Sequence, residues 1–349
     1  MTKALHSSGT RSQQVICLGL ILLIILLFFC NLFCGSVSIP PSAVIDVLLG
    51  NEVERSAWRS IVLQSRLPQA VTAILSGAAL AVSGLMLQTL FRNPLAGPSI
   101  LGITGGANLG VALVMLSLGG MAGISSFGVN FSVVIVAFLG ASGVLALILY
   151  FSRKVKSNVL VLIIGMMIGY LASSVISILN SVAEADSIRS YVIWGLGSFS
   201  NVSSAQLGFY GMAVLIGLFF SILLIKPLNI LLLGDRYAAN LGVNLTRIRA
   251  QIFLCSGFLS ALVTAFCGPV GFIGLAVPHV ARMILGTSNQ QLLMPATILS
   301  GAAIALICNL MTLVPFGNTL LPLNAVTPLL GAPIIIYVIV SKRNSTYFN

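Results

Sequence analysis

His279 and Arg282 stand three positions apart in GPVGFIGLAVPHVARMILG (268–286), one turn apart on a helix. Such a pair could ligate a metal or hold an anion, but little else in the chain could complete a reactive set. The other histidine, His6, lies in a polar tail, so neither a Ser/His/Asp nor a Cys/His arrangement is available. No glycine is followed by lysine, so the phosphate-cradling GxxxxGK[ST] loop cannot occur and the chain cannot hydrolyse ATP alone. The six cysteines all sit in apolar stretches without a CxxC pair and read as small hydrophobes. The acids Asp46, Glu52, Glu54, Glu184, Asp186 and Asp235 fall in polar loops, whereas ion-coupled carriers usually bury carboxylates or histidines as relays. Two kinds of transport remain open. One is a channel, or a carrier that binds sodium through bare carbonyls. The other is a subunit driven by a partner's energy.

The elements that position these residues are membrane spans. The chain is 58% hydrophobic and 7% charged over 349 residues, against roughly 25% charged in soluble domains. Ten apolar segments approach the length that crosses the hydrocarbon: 15–34, 64–90, 97–118, 129–151, 158–180, 204–225, 250–267, 270–286, 291–313 and 325–340. The first is longer than a signal-peptide core and reads as a retained helix. With both ends in the cytoplasm, every basic residue except Arg55, Arg59, Arg66 and Arg189 lies inside, and every acid except Asp235 lies outside. That bias accounts for the net charge of +11 without a nucleic-acid partner. The expected fold is therefore a single all-α polytopic membrane domain over 1–349, its basic side against membrane lipid.

The longest polar stretches are outer loops at 35–63 and 181–203 and an inner loop at 226–249. In the inner loop, Pro227 would stop one helix and Asp235 would cap a short helix that ends at Gly242. A second short helix would start at Asn244. This gives either a docking surface for a protein or a basic loop held to lipid. SGAALAVSG (76–84) echoes SGFLSALVT (256–264), and each precedes a Gly/Pro-rich break. The echo is either an inverted repeat, a common plan for transporters, or the chance resemblance of two small-residue helices.

GDRYAANLGVNLTRIR (234–249) resembles the coupling loop of the FecCD-type permeases of ABC importers, which serve iron–siderophores, haem and vitamin B12. The matching positions are Gly234, Asp235, Ala238, Leu241, Gly242, Val243 and Arg249, and Arg236 beside Asp235 would belong to the same coupling surface. The resemblance extends to SRLPQAV…FRNPLAGPSILGITGGANLG (65–110), to the PHxxR element at Pro278, His279 and Arg282, and to LPLNAVTPLLGAP (321–333). It implies a homodimer of ten-helix subunits in the bacterial inner membrane. Two copies of a cytoplasmic ATPase, which carry the ATP and Mg, would bind below, and a periplasmic or lipoprotein binding protein would dock above. The chain itself would hold no metal or cofactor.

The resemblance also assigns residues. Arg55 and Arg59 would receive acidic knobs of the binding protein, unless they merely offset Glu52 and Glu54. Asn93 and Leu95, with Ser157, Asn158 and Leu162 opposite, would form the cytoplasmic gate. Met166 and Met167 would line the pathway or simply fill a core. Arg282 would reach phosphates or the ATPase, and His279 reads as structural rather than as a haem ligand. The family's outer charges are missing at Gln69, Asn309, Leu313 and Leu320. The expected function is import of an iron complex, ferric siderophore before haem, with vitamin B12 as the alternative cargo. The competing class is an ion-coupled carrier or channel.

Overall fold

A computed structural model describes residues 2–117, 126–155, 157–240, 242, 244–313, 315–316 and 319–341. The helices are α1 (Thr2–Phe33), α2 (Pro41–Leu49), α3 (Ser56–Ile61), α4 (Leu67–Phe91), α5 (Ile103–Ser117), α6 (Ser126–Lys154), α7 (Asn158–Val182), α8 (Ala185–Gly195), α9 (Ser204–Leu223), α10 (Ile225–Leu232), α11 (Asp235–Asn240), α12 (Leu245–Cys267), α13 (Ile273–Leu285), α14 (Gln290–Thr312) and α15 (Leu323–Ser341). Strands β1 (Pro315–Phe316) and β2 (Thr319–Leu320) form a two-residue antiparallel ladder. Among the described residues, seven helices are long and apolar enough to cross a membrane, and α5, α13 and α15 are shorter apolar helices. Each of the ten falls on one of the ten apolar segments, so the chain is an all-α polytopic membrane protein.

Several boundaries differ from the expectation. The outer loop 35–63 is not irregular. It holds α2 and α3, and α3 continues through a π-helical turn at Val62–Arg66 into α4 as one 36-residue helix. Pro227 does not simply end a helix: it sits in the first turn of α10, where its missing N–H costs nothing. The helix expected from Asn244 is the start of α12, capped by the Asn244 side chain, which accepts from Arg247 N at 3.0 Å. The span is thus five residues longer than hydropathy suggests.

Two helices make the core. Of their most apolar windows, 83% is buried in α4 and 78% in α12, against 17% in α7 and 11% in α1. Around α4 pack α14, α12, α13 and α9. Small residues set the approach: Gly77 and Gly301 face one another so closely that a Cβ on either would strike the other's carbonyl.

Between apolar helices the chain is irregular at 92–102 and at 268–272. Irregular backbone survives there only where protein repairs its hydrogen bonds. Gly268 has φ 75°, and its amide neighbourhood meets the outer turn at Trp194 and Gly197, while Ser198 N donates to Cys267 O at 2.8 Å. Pro278 cannot donate to the carbonyl of Gly274, four residues earlier. That freed carbonyl points at Gly84, where a Cβ would overlap it. Gly271 is not at a close approach: a Cβ there would meet Asn324 Oδ1 at an ordinary 3.8 Å. The two breaks meet around a cavity of about 10 Å³ lined by Pro98, Ser99, Thr104, Ser260 and Phe272, a size that suits one water.

Gly84→Ala and Gly301→Ala should each overpack this core at a cost of ~1–3 kcal/mol. Gly143 faces open space on exposed α6, so Gly143→Ala should be neutral or slightly stabilising. Thermal midpoints in detergent will show it: equal midpoints for all three variants would contradict the close contact.

Candidate functional site

The basic end of the bundle gathers most of the singled-out residues. α10 ends at Leu232, and Gly234, at φ 116°, turns the chain into α11. Asp235 and Arg236 open that helix, though their side chains lie outside the described residues, as do Leu241 and Val243 altogether. Ala238 is fully buried beneath the turn, and Gly242 takes a left-handed φ of 76°. Arg249 lies half-buried in the second turn of α12.

Beside this loop lies the turn after α4. Arg92 ends α4 in the left-handed region, φ 47° and ψ 36°, a place glycine usually takes. Its guanidinium donates twice to Leu231 O at the end of α10, Nη2 at 2.8 Å and Nε at 3.2 Å. Asn93 Oδ1 accepts from Leu95 N at 2.9 Å, which fixes an Asx turn and leaves Leu95 exposed. Pro94 O accepts from His279 Nε2 at 2.8 Å, and Leu90 O from Asn158 Nδ2 at 3.0 Å. The expected gate residues Asn93, Leu95, Ser157 and Asn158 are therefore assembled around the end of α4. Ser157 caps α7, and Leu162 is half-buried one turn on.

His279 and Arg282 both point inward. His279 is 3% exposed and Arg282 6%. Arg282 Nη1 donates to Gln88 Oε1 at 2.8 Å, and Gln88 Nε2 donates to Leu275 O at 3.0 Å, beside the kink at Pro278. An arginine held this way braces α13 against α4. It is not placed to reach phosphate, contrary to the expectation.

α7 presents a mixed face. Tyr170, Ser173, Ser174, Ser177, Ser181 and Met167 are exposed along it, and Met166 is half-buried. Ser174 and Ser177 donate to carbonyls one turn back at 3.0 Å. Repeated hydroxyls on the open face of a spanning helix suit a partner surface or a water-lined path better than lipid.

At the opposite end, Arg55 and Arg59 are exposed around α3, with Arg55 over the Trp58 ring at 5.4 Å. Arg66 is buried: it donates to Leu32 O at 2.7 Å, to Phe33 O at 3.0 Å and to Val37 O, capping the C-terminus of α1. Trp194 stacks on Tyr191 with ring centres 6.3 Å apart.

The family model of the FecCD transport family matches residues 22–341. The chain belongs to the FecCD transport family. The vitamin B12 import system permease protein of Klebsiella pneumoniae is 31% identical over 97% of both chains. The molybdate import system permease protein of Haemophilus influenzae is 33% identical over 93% of this chain and 94% of its own. A solved structure described as an inward-facing conformation of a metal-chelate type ABC transporter superposes with a TM-score of 0.81 at 32% identity. It covers 94% of this chain and 99% of that one. This FecCD chain is thus an ABC importer permease, and the cargoes named for its relatives extend to molybdate, beyond the range expected from the sequence.

Two of the FecCD chain's missing charges have structural counterparts. Gln69 Nε2 donates to Asn309 Oδ1 at 2.9 Å, and Asn309 Nδ2 donates to Asn31 Oδ1 at 2.7 Å. Asn31 in turn donates to Leu27 O at 2.8 Å. Where the family resemblance leads one to expect Arg at 69 and Asp at 309, this chain holds an amide pair that, with Asn31, ties α1, α4 and α14. Leu313 ends α14, and Leu320 lies in β2 with its side chain outside the described residues. Sequence reasoning missed Arg92, Gln88 and Arg66 as positioning groups. A basic residue at a helix end before Asn-Pro was the available signal for Arg92.

Gln69→Arg alone places a charge against a neutral amide and should lower stability by about 1–3 kcal/mol. Adding Asn309→Asp should recover most of that loss, since paired sites are non-additive. A double-mutant cycle on thermal midpoints checks this, and strict additivity would show that the two side chains do not interact.

Proposed function

We propose that this chain is the translocation subunit of a binding-protein-dependent importer for an iron complex, ferric siderophore before haem. It works as a homodimer in the bacterial inner membrane with two copies of an ATPase that supply ATP hydrolysis. A periplasmic or lipoprotein binding protein delivers cargo from outside. The observation that supports this reading is where the inner loop begins: Leu231 and Gly234 lie against Arg92, next to the turn at Asn93–Leu95. A loop so placed can turn closure of an ATPase below it into movement of helix ends.

The choice of cargo rests on chemistry. α7 carries no charged residue along its 25 positions, and its open face offers serines, Met167 and Tyr170. A bulky complex with a delocalised or shielded charge suits such a face, where soft methionine adapts to shape. A small oxyanion such as molybdate would call for fixed cations. Vitamin B12 fits the same surface and is the second reading. Outside, Arg55 and Arg59 are free of burial and would steer an acidic partner, a contribution to association rate more than to affinity.

The test is uptake into proteoliposomes with the cognate ATPase and binding protein. Ferric siderophore, haem, cobalamin and molybdate are offered separately. Ferric siderophore should accumulate only with ATP, and Asp235→Ala or Arg249→Ala should lower that rate at least tenfold. Accumulation without ATPase or nucleotide would instead point to an ion-coupled carrier or channel, and uptake of cobalamin alone would move the cargo to the second reading.

A further inference from the structure

Within five consecutive residues, the end of α4 holds a partner on each of three other elements. Leu90 O takes Asn158 of α7, the Arg92 guanidinium takes Leu231 O of α10, and Pro94 O takes His279 of α13. Two of these bonds anchor the turn to the bundle. The third runs to the inner loop. We propose that Arg92 is the positioning residue that carries displacement of the α10–α11 loop into the gate turn at Asn93–Leu95. This rests on the importer reading above.

Three features of Arg92 support it. First, its backbone is left-handed, which is unfavourable for any residue with a Cβ, so glycine or asparagine would serve better if the position only had to end a helix. An arginine kept at such a place implies that its side chain is used. Second, two N–H groups converge on a single carbonyl, and a planar fork fixes direction as well as distance, which a flexible ammonium does not. The same carbonyl accepts Gly234 N at 3.2 Å, so the loop's own turn and Arg92 share one anchor. Third, Gly234 makes room: a Cβ there would come within 3.1 Å of Arg92 Nη2. The coupling loop and the gate turn are therefore in contact through one side chain, and that side chain is adjacent in sequence to Asn93.

Arg92→Gly tests this because it removes the guanidinium while suiting the left-handed backbone, so the fold is spared. Arg92→Lys keeps the charge and loses the fork. The assembled complex with its cognate ATPase is compared by hydrogen–deuterium exchange, nucleotide-free against ATP plus vanadate, over residues 231–242 and 92–102. In the wild type both segments should change protection. In Arg92→Gly the loop should still respond and the gate turn should not. ATP hydrolysis should stay within about twofold of wild type. Uptake of whichever cargo the wild type accumulates should fall at least tenfold, and Arg92→Lys should fall between. A gate turn that responds normally in Arg92→Gly overturns the proposal, as does a parallel loss of hydrolysis and uptake in both variants. A wild-type complex in which neither segment responds to nucleotide would instead count against the importer reading itself.

Discussion

A carbonyl freed inside a membrane has no water to turn to, and this constraint organises the bundle. The chain breaks between apolar helices, and each break must be closed by another helix. Pro278 releases the Gly274 carbonyl, and Gly84 of α4 receives it because no side chain stands between. Gln88, one turn further along α4, meets the next carbonyl at Leu275 and is itself oriented by Arg282. α4 is thus the helix on which the second break is repaired, and its own C-terminal turn forms the first. Among the described spans, the most buried helix is therefore also the one whose end takes part in both breaks.

The same logic separates the two sides of the molecule. Near the core, small residues and side-chain amides hold α4, α12, α13 and α14 at close range. Away from it, α7 is largely uncovered, and its serines satisfy themselves on their own backbone. A surface that neither depends on neighbours nor clings to them can face a changing environment. The loop at the basic end is joined to the packed part through α10, whose Leu228 and Leu231 are buried.

The apolar helices were legible because hydrophobicity over about 20 residues is a strong local signal. The inner loop was legible through its short-range pattern of Gly234, Ala238 and Gly242. What escaped were contacts between distant parts of the chain. Arg92 and Leu231 are 139 residues apart, Gln88 and Arg282 194, and Gln69 and Asn309 240. Nothing in a local window says that an arginine counted as an inner-leaflet anchor ends on a helix carbonyl. Nor does charge counting reveal that Arg66, one of four outer cations, is withdrawn beneath α1. Hydropathy also undercounted α12, because its first two turns carry Arg247 and Arg249 and its start is helical for reasons of capping rather than apolarity.

The amide chain Gln69–Asn309–Asn31 has a further meaning. It lies near the start of α4, at the end of the bundle away from the basic loop. An ion pair there would loosen as its carboxylate took up a proton, and dissolved salt would weaken it wherever water reached it. Side-chain amides neither titrate nor carry a charge to be screened. The clamp joining α1, α4 and α14 therefore keeps the same strength whether the surroundings are acidic or neutral, dilute or saline.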